Sequence, residues 1–450
     1  MGHIKGYGQH ANIPANTGIA RHWRVLASVL LIALSCCVGL AIAHVTGPVA
    51  SVNPSANANH TMQQPSTINK PNAAPQPVVE HHGNSPDCPD TDCIALFVNG
   101  DLLFHPGLWD NFAVNPTASD GSAYDFTSLF EPMRPYIEAS DIAICNFETP
   151  VAQRGGPYSG YPVFNIPPEV ADAAAKVGYR ACTHATNHSW DQGADGIARL
   201  WKTLADNGIA QTGSYTTEEE STKPLVIDSP TGGGKLGLIA GTVSLNGQTA
   251  DYDWRVDRLR ESSDPHYQSD IDRAVAKAKA AREQGADVVA MAMHSVQEYL
   301  DYADSWQVTE AHALADTGEF DVIFGTGCHC AQPIENYNGT WIIYGLGNAL
   351  TETAGPATIV NNQGVSARIQ LAGTRGKAGS WRVTRIDWTP SANETRGKYQ
   401  WCSLASDKPD GTCWSDAQDA AVRSRINDVI YSMGADRNIV REWTITDEQR

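Results

Sequence analysis

From Cys93 onward, short apolar runs alternate with polar stretches of helical period. The runs fall at 95–101 (ALFVNGD), 141–148 (DIAICNFE), 235–243 (KLGLIAGTV), 287–294 (DVVAMAMH) and 321–327 (DVIFGTG). Short apolar segments rich in β-branched residues read as buried strands. Between them, IDRAVAKAKAAREQGA at 271–286 predicts an amphipathic helix that stops near Gly285, and SWQVTEAHALADTG at 305–318 predicts a second, stopping near Gly318. Strands alternating with helices predict a layered α/β domain. Nearer the C-terminus, VSARIQLAG and SWRVTRIDW alternate apolar and polar residues, as antiparallel strands with one solvated face do. No internal repeat is visible.

A different pattern precedes the domain. Val25 to Val45 is an almost unbroken apolar run, preceded by Arg21, His22 and Arg24. A helix of that length spans a hydrocarbon core of about 30 Å. The flanking arginines favour a cytoplasmic N-terminus and place the rest of the chain outside. The expectation is a single-pass anchor in the cell membrane; the competing reading is a signal peptide cleaved near Ala43, where Ala41-Ile42-Ala43 offers small residues. Residues 46–90 are rich in Pro, Asn, Ala, Ser and Gln, and predict a flexible spacer. The expected organisation is a cytoplasmic tail at 1–24, an anchor or signal at 25–45, a linker at 46–90, the main domain at 91–390 and a C-terminal extension at 391–450, which reads either as a small disulfide-pinned piece or as an edge of the main domain.

Charge and cysteine usage add limits. With 32 basic against 50 acidic residues, the formal charge is -18. That excludes a nucleic-acid partner, which needs clustered Lys and Arg. Cys88 with Cys93, and Cys402 with Cys413, are spaced as local disulfides of an oxidising compartment. Cys145 and Cys182 sit in apolar runs and read as small buried hydrophobes.

Polar residues close several of the apolar runs. Asp101 ends one, with His105 four residues on; Asn146 and Glu148 end the next; Asn187 and His188 follow YRACTHAT; His294 ends VVAMAMH; His329 follows VIFGTGC. A strand-end Asp usually caps a turn and a lone His is usually structural, so each means little singly. Five such endings in sequence point to loops that converge on a site beyond the strand ends. Oxygen and imidazole donors suit a divalent ion such as Mn, Zn or Fe. Two such ions can activate water and clamp a phosphoryl group.

Six blocks in fixed order carry a family likeness: Gly100-Asp101 through His105, Asn146-Phe147-Glu148-Thr149-Pro150, Asn187 through Gly193, His294 through Tyr299, Gly325 through Glu335, and Tyr344 through Asn348. Together they resemble the bacterial CapA proteins of capsule and poly-γ-glutamate synthesis. The resemblance implies an α/β fold of the calcineurin-like metallophosphatase kind, a four-layer α/β/β/α sandwich. It also implies metal ligation by Asp101, Asn187, His294 and His329, with Glu148 beside them in a less defined part. His188 and His105 are then the candidate catalytic groups. Asn146, Glu298, Tyr299, Gln332 and Asn348 are the candidate pocket residues, although Glu298 and Tyr299 read equally as helix-capping. Where the family has an imidazole, this chain has Gly327, so the metal set is expected to be reduced or lost. A thiolate of Cys328 or Cys330 is the alternative donor, against a buried thiol or a disulfide. Two functions follow. One is a component of a surface-polymer synthesis or export complex; the other is an active metal-dependent phosphoesterase or polymer hydrolase.

Overall fold

Strand β1 (Asp92–Leu103) sets the architecture, because its alternating side chains feed two cores. Ile94, Leu96 and Val98 enter one apolar cluster and Phe97 the other. This is the period of two expected of a strand covered on both faces. The structure, a computed structural model, describes residues 92–114, 121–352, 361–397 and 399–448. The apolar run at Val25–Val45 and the spacer lie outside the described residues, among which no helix is long and apolar enough to cross a membrane.

Around β1 runs a nine-stranded sheet. β2 (Ile142–Phe147), β3 (Ala181–Thr183) and β4 (Ala210–Thr212) extend it in parallel on one side. On the other side lie β12 (Gln363–Gly373), β13 (Arg382–Glu394) and β14 (Gln400–Ser403), all antiparallel. β11 (Asn348–Thr351) pairs with the end of β1, and β15 (Val440–Glu442) with β13. A second sheet of six strands has the order β5 (Leu225–Asp228), β6 (Lys235–Thr242), β7 (Val288–His294), β8 (Val322–Thr326), β10 (Thr340–Ile343), β9 (Ile334–Tyr337).

The two sheets share one core. Leu96 and Ile144 of the first meet Leu238, Ala290 and Phe324 of the second. Helices cover the outer faces. α1 (Glu169–Val177) and α2 (Gly193–Asp206) bury Val170, Leu200 and Leu204 against the first sheet. α3 (Tyr267–Glu283) and α4 (Ser305–Asp316) bury Ile271, Ala278, Ala311 and Leu314 against the second. The layers are therefore helix, sheet, sheet, helix: the alternating pattern predicts an α/β domain, and the family resemblance implies the four layers. Both predicted helices form. Asp304 caps α4 by accepting from the amides of Trp306 and Gln307, while Gln307 returns the bond to Asp304 N–H.

Three expectations need correction. The polar face of β12 and of the inner part of β13 is not solvated, although Arg382 at the start of β13 is exposed: Arg368 and Asp387 are buried and paired at 2.8 Å, and Trp443 stacks on the guanidinium at 4.6 Å. An alternating pattern cannot tell water from a paired polar layer. Of the two readings of residues 391–450, the separate extension gives way to the edge of the main domain, since β14 and β15 continue the larger sheet. Finally, Cys145 and Cys182 are buried but joined as a disulfide between neighbours in the β2–β3 register. Cys402 and Cys413 are joined as predicted. Cys93 is also disulfide-bonded, and its predicted partner Cys88 lies outside the described residues.

Candidate metal centre

Parallel strand ends from both sheets deliver the polar residues to one place. Asp101 lies at a bulge in β1, in register with Asn146 of β2, and Glu148 follows just beyond β2. From the other sheet, His294 ends β7 in register with Thr326, which ends β8. The chain then turns sharply through Gly327, at φ +80°, and His329, at φ 57°. A non-glycine residue in that region costs on the order of 1–3 kcal/mol, a strain found most often at functional sites.

Hydrogen bonds set each group. The Gly327 amide donates to both oxygens of Asp101 at 3.1 Å, and the Asn146 amide donates to the same carboxylate at 2.8 Å. His329 Nδ1 lies 3.0 Å from Asp101 Oδ2 and 2.9 Å from Asn348 Oδ1. The Asn348 amide nitrogen donates to Asn361 O, which fixes its oxygen towards the ring. Both neighbours of Nδ1 are acceptors, so Nδ1 carries the proton. Nε2 is turned towards Glu148, whose Oε1 lies 3.7 Å away. This is the outer hydrogen bonding that holds an imidazole ready for a metal.

Glu148 is fully buried, and neither of its oxygens has a hydrogen-bond partner. Burial, together with the nearby Asp101 charge, pushes its pKa well above the carboxylate range. For His329, burial opposes the charged form, but Glu148 and Asp101 outweigh it and raise the imidazole to about 10. Two carboxylates and one imidazole in a dry pocket carry an excess of negative charge, so Glu148 and His329 hold their protons more tightly than usual. A divalent cation fits there. One donor atom each of Asp101, Glu148 and His329 lies within 4.8 Å of the others, and the unbonded Glu148 oxygens are what a cation would satisfy.

The other two expected ligands form a separate pair. Asn187 donates to Asn246 Oδ1, so its own oxygen faces His294 Nε2 at 3.0 Å as an acceptor. His294 Nδ1 meets the Thr326 hydroxyl at 3.0 Å, and burial lowers its pKa to about 3. Asn187 and His294 thus satisfy each other beside the trio, with His294 Nε2 4.0 Å from Glu148 Oε1.

Both candidate catalytic histidines flank this cluster. His188 Nδ1 bonds Asp191 Oδ2 at 2.7 Å, and its ring packs edge-on against Phe164. His105 packs on the other contact of Phe164; its Nε2 is buried without a partner, and burial plus the charges of His329 and His188 lower it to about 4. Among the pocket candidates, Asn348 and Asn146 are in the network. Glu298 Oε1 is 4.0 Å from His329 Nε2, and the Tyr299 ring lies 5.9 Å from the His329 ring. Neither caps a helix, since Asp304 does. Gln332 stands apart: it donates to the carbonyls of Leu300 and Tyr302 and anchors that loop instead of lining the cluster.

Cys328 and Cys330 stand outside the group of side chains placed to ligate a metal. Both are free and buried; Cys328 Sγ donates to Cys330 O, and burial raises both thiols, Cys330 to about 12. Nor is Gly327 simply a histidine missing. A Cβ there would lie 2.1 Å from Ser295 O and 2.6 Å from His294 Nε2, so the space is taken. The residues that pattern reading passed over are Thr326, Asn246, Asn361 and Asp191. Asp191 and Thr326 had a signal, each lying inside a motif block; Asn246 and Asn361 had none.

A family model described as bacterial capsule synthesis protein PGA_cap matches residues 95–353. The chain is 26% identical over 222 residues to a probable polyglutamine synthesis accessory protein of Mycobacterium tuberculosis, covering 48% of this chain and 57% of that one. It is 25% identical over 262 residues to the PGA biosynthesis protein CapA of Bacillus subtilis, covering 58% and 65%. It is also 25% identical over 235 residues to the capsule biosynthesis protein CapA of Bacillus anthracis, covering 50% and 54%. The chain thus spans little more than half the length of these relatives. A calcineurin-like phosphoesterase structure from Bacillus subtilis aligns with 75% of this chain and 97% of its own at 13% identity, but its TM-score of 0.40 is too low to bear on fold or chemistry. The family model covers more than half of the chain and takes in every residue of the buried cluster except Asn361: the chain belongs to the bacterial capsule synthesis protein PGA_cap family.

Proposed function

We propose that the chain is an extracytoplasmic component of anionic surface-polymer synthesis or export, of the capsule or poly-γ-glutamate kind, with a divalent cation held by Asp101, Glu148 and His329. In this reading, residues 25–45 anchor it in the membrane, the spacer holds the domain clear, and other subunits of the polymer machinery are its partners. Family membership and the names of the relatives support the polymer. The observation that carries the pocket is Glu148, a buried carboxylate with both oxygens unbonded between Asp101 and His329.

A bound cation would supply positive charge to an anionic group of the polymer. The protein's own residues do the rest. Asn348 and Asp101 orient His329, and Gly327 N–H and the Asn146 amide orient Asp101. Asp191 holds the Nδ1 proton of His188, leaving Nε2 to exchange one with a bound group.

Metal content of the full-length protein tests this. Wild type is expected to retain a divalent ion through gel filtration, and Glu148→Gln and Asp101→Asn to lose it. Equal, negligible metal in all three, with no thermal shift on adding Mn or Zn, overturns the cation. Undiminished surface polymer in cells that carry only Glu148→Gln overturns the pocket's part in the process.

A further inference from the structure

Next to the metal centre lies a second cavity, of about 440 Å³, lined by Arg258. That is within the usual size of ligand pockets, roughly 300–1,000 Å³. Arg258 follows Asp257 in the segment after the Tyr252–Arg255 turn and bridges to Thr242 at the end of β6. Its Nε and Nη2 donate to the carbonyls of Thr242 and Val243 at 3.3 and 2.9 Å. Both are neutral acceptors. No carboxylate lies within 4.0 Å of Arg258 among the described residues, unlike Arg260 on the same wall, which pairs with Asp253 and Asp270.

Burial and the charge of Arg260 disfavour the charged guanidinium, and Asp270, Asp253 and Asp264 offset this only partly and without bonding it, so an anion brought into contact relieves it. In a chain of formal charge -18, which has carboxylates to spare, an unpaired partly buried arginine is a specific omission. Position gives it a purpose. The loop from Ser244 to Ala250 forms one wall of the cavity through Leu245, Gln248 and Thr249. Its other side touches the metal centre, where Asn246 accepts from Asn187 and Gln248 donates to Asp191 at 3.0 Å. One loop thus separates the two sites.

Asp253 and Asp264 also line the cavity. Asp253 is taken by Arg260 and Arg273, and Asp264 accepts from His266. Their charges leave room for a monoanion but penalise a dianion such as phosphate.

We propose that this cavity is a carboxylate subsite, in which Arg258 Nη1 receives an acidic side group of the polymer while a neighbouring stretch reaches the metal centre across the Ser244–Ala250 loop. The polymer's identity rests on the function proposed above; the anion site does not.

The test is binding of a fluorescent γ-linked glutamate oligomer to the full-length chain in mild detergent, with the uncharged glutamine oligomer as control. Arg258→Gln is expected to weaken glutamate-oligomer binding by roughly tenfold or more and to leave metal content unchanged. Because Arg258 also ties down two carbonyls, Thr249→Glu serves as a second variant. Thr249 is exposed, and a carboxylate placed on it acts as an internal competitor that weakens binding without disturbing the fold. Undiminished binding in both folded variants overturns the proposal, as does equal binding of the glutamine oligomer or no binding by wild type. Stronger competition by inorganic phosphate than by free glutamate overturns the assignment to a carboxylate. If Asp101→Asn abolishes binding while both cavity variants bind normally, the anion site is the metal centre and only this subsite fails. If the cavity variants weaken binding in a protein that holds no metal, the subsite stands and the metal reading fails.

Discussion

Glu148 keeps two oxygens in a dry pocket with no donor to meet either. Without a cation, such a group destabilises the fold, since leaving a buried polar group unsatisfied costs about 1–3 kcal/mol and more if charged. Glu148→Gln is therefore expected to match or exceed wild type in thermal stability when both are measured in chelator. Added Mn or Zn should raise the midpoint of wild type alone. A large drop for Glu148→Gln in chelator would mean the carboxylate holds the structure rather than a ligand. Gly327 behaves in the opposite way. Its φ of +80° and the 2.1 Å approach of a Cβ to Ser295 O make any side chain a clash. Gly327→Ala should lower stability by about 1–3 kcal/mol or more, and Gly327→His should lower it further without gaining metal. A Gly327→His protein that folds normally and binds an added ion would show that the 294–296 backbone yields.

At the scale of elements, α3 and α4 bring two carboxyls together. Glu310 on α4 is buried, has neither oxygen bonded, and faces the charge of Asp270 on α3. Burial first, and Asp270 second, raise Glu310 from 4.5 to about 8. A carboxyl raised in the folded state binds its proton more tightly there than in the unfolded chain. Its contribution to stability is thus complete below about pH 4.5 and is lost as pH rises towards 8. Glu310→Gln should remove that slope, so wild type falls below the variant between these limits; parallel curves of unfolding midpoint against pH would refute it. Nothing in the sequence announced this pair, because Glu310 sits in a helical stretch where a glutamate is unremarkable. What was legible were the strands that carry Asp101, Glu148, His294 and His329, since apolar runs ending in polar residues declare both an element and its end. Register was not legible. It decides that Cys145 meets Cys182, that Asp101 meets Asn146, and that His294 is bonded by Asn187 rather than left open. Arg368 and Asp387 were hidden for a related reason: a salt bridge satisfied in the interior reads, residue by residue, like a wet surface.

Across the whole molecule, the last strands belong to the first sheet. Trp401 and Trp443 are buried with Phe97 and Tyr136, and the Trp443 amide donates to Trp388 O. Ending the chain after residue 390 removes both tryptophans and leaves the outer face of β1 uncovered. Such a protein is expected to aggregate or to lose most of its cooperative unfolding, as circular dichroism during heating would show; a sharp transition near that of the full chain would mean that 391–450 is an appendage after all.

The place of β1 has a consequence for how the chain is made. Asp92 pairs with Gly373 of the antiparallel β12 and Asp101 with Asn348 of the parallel β11, so β1 finds both of these neighbours about 250 or more residues later in the chain. At about 5–20 residues per second of synthesis, the interval between them is on the order of tens of seconds. Throughout that interval the larger sheet lacks its strands from β11 onward, and one edge of β1 is unpaired and available to chaperones. Under the extracytoplasmic location proposed above, strand order by itself would delay completion of the larger sheet until its last strands are made.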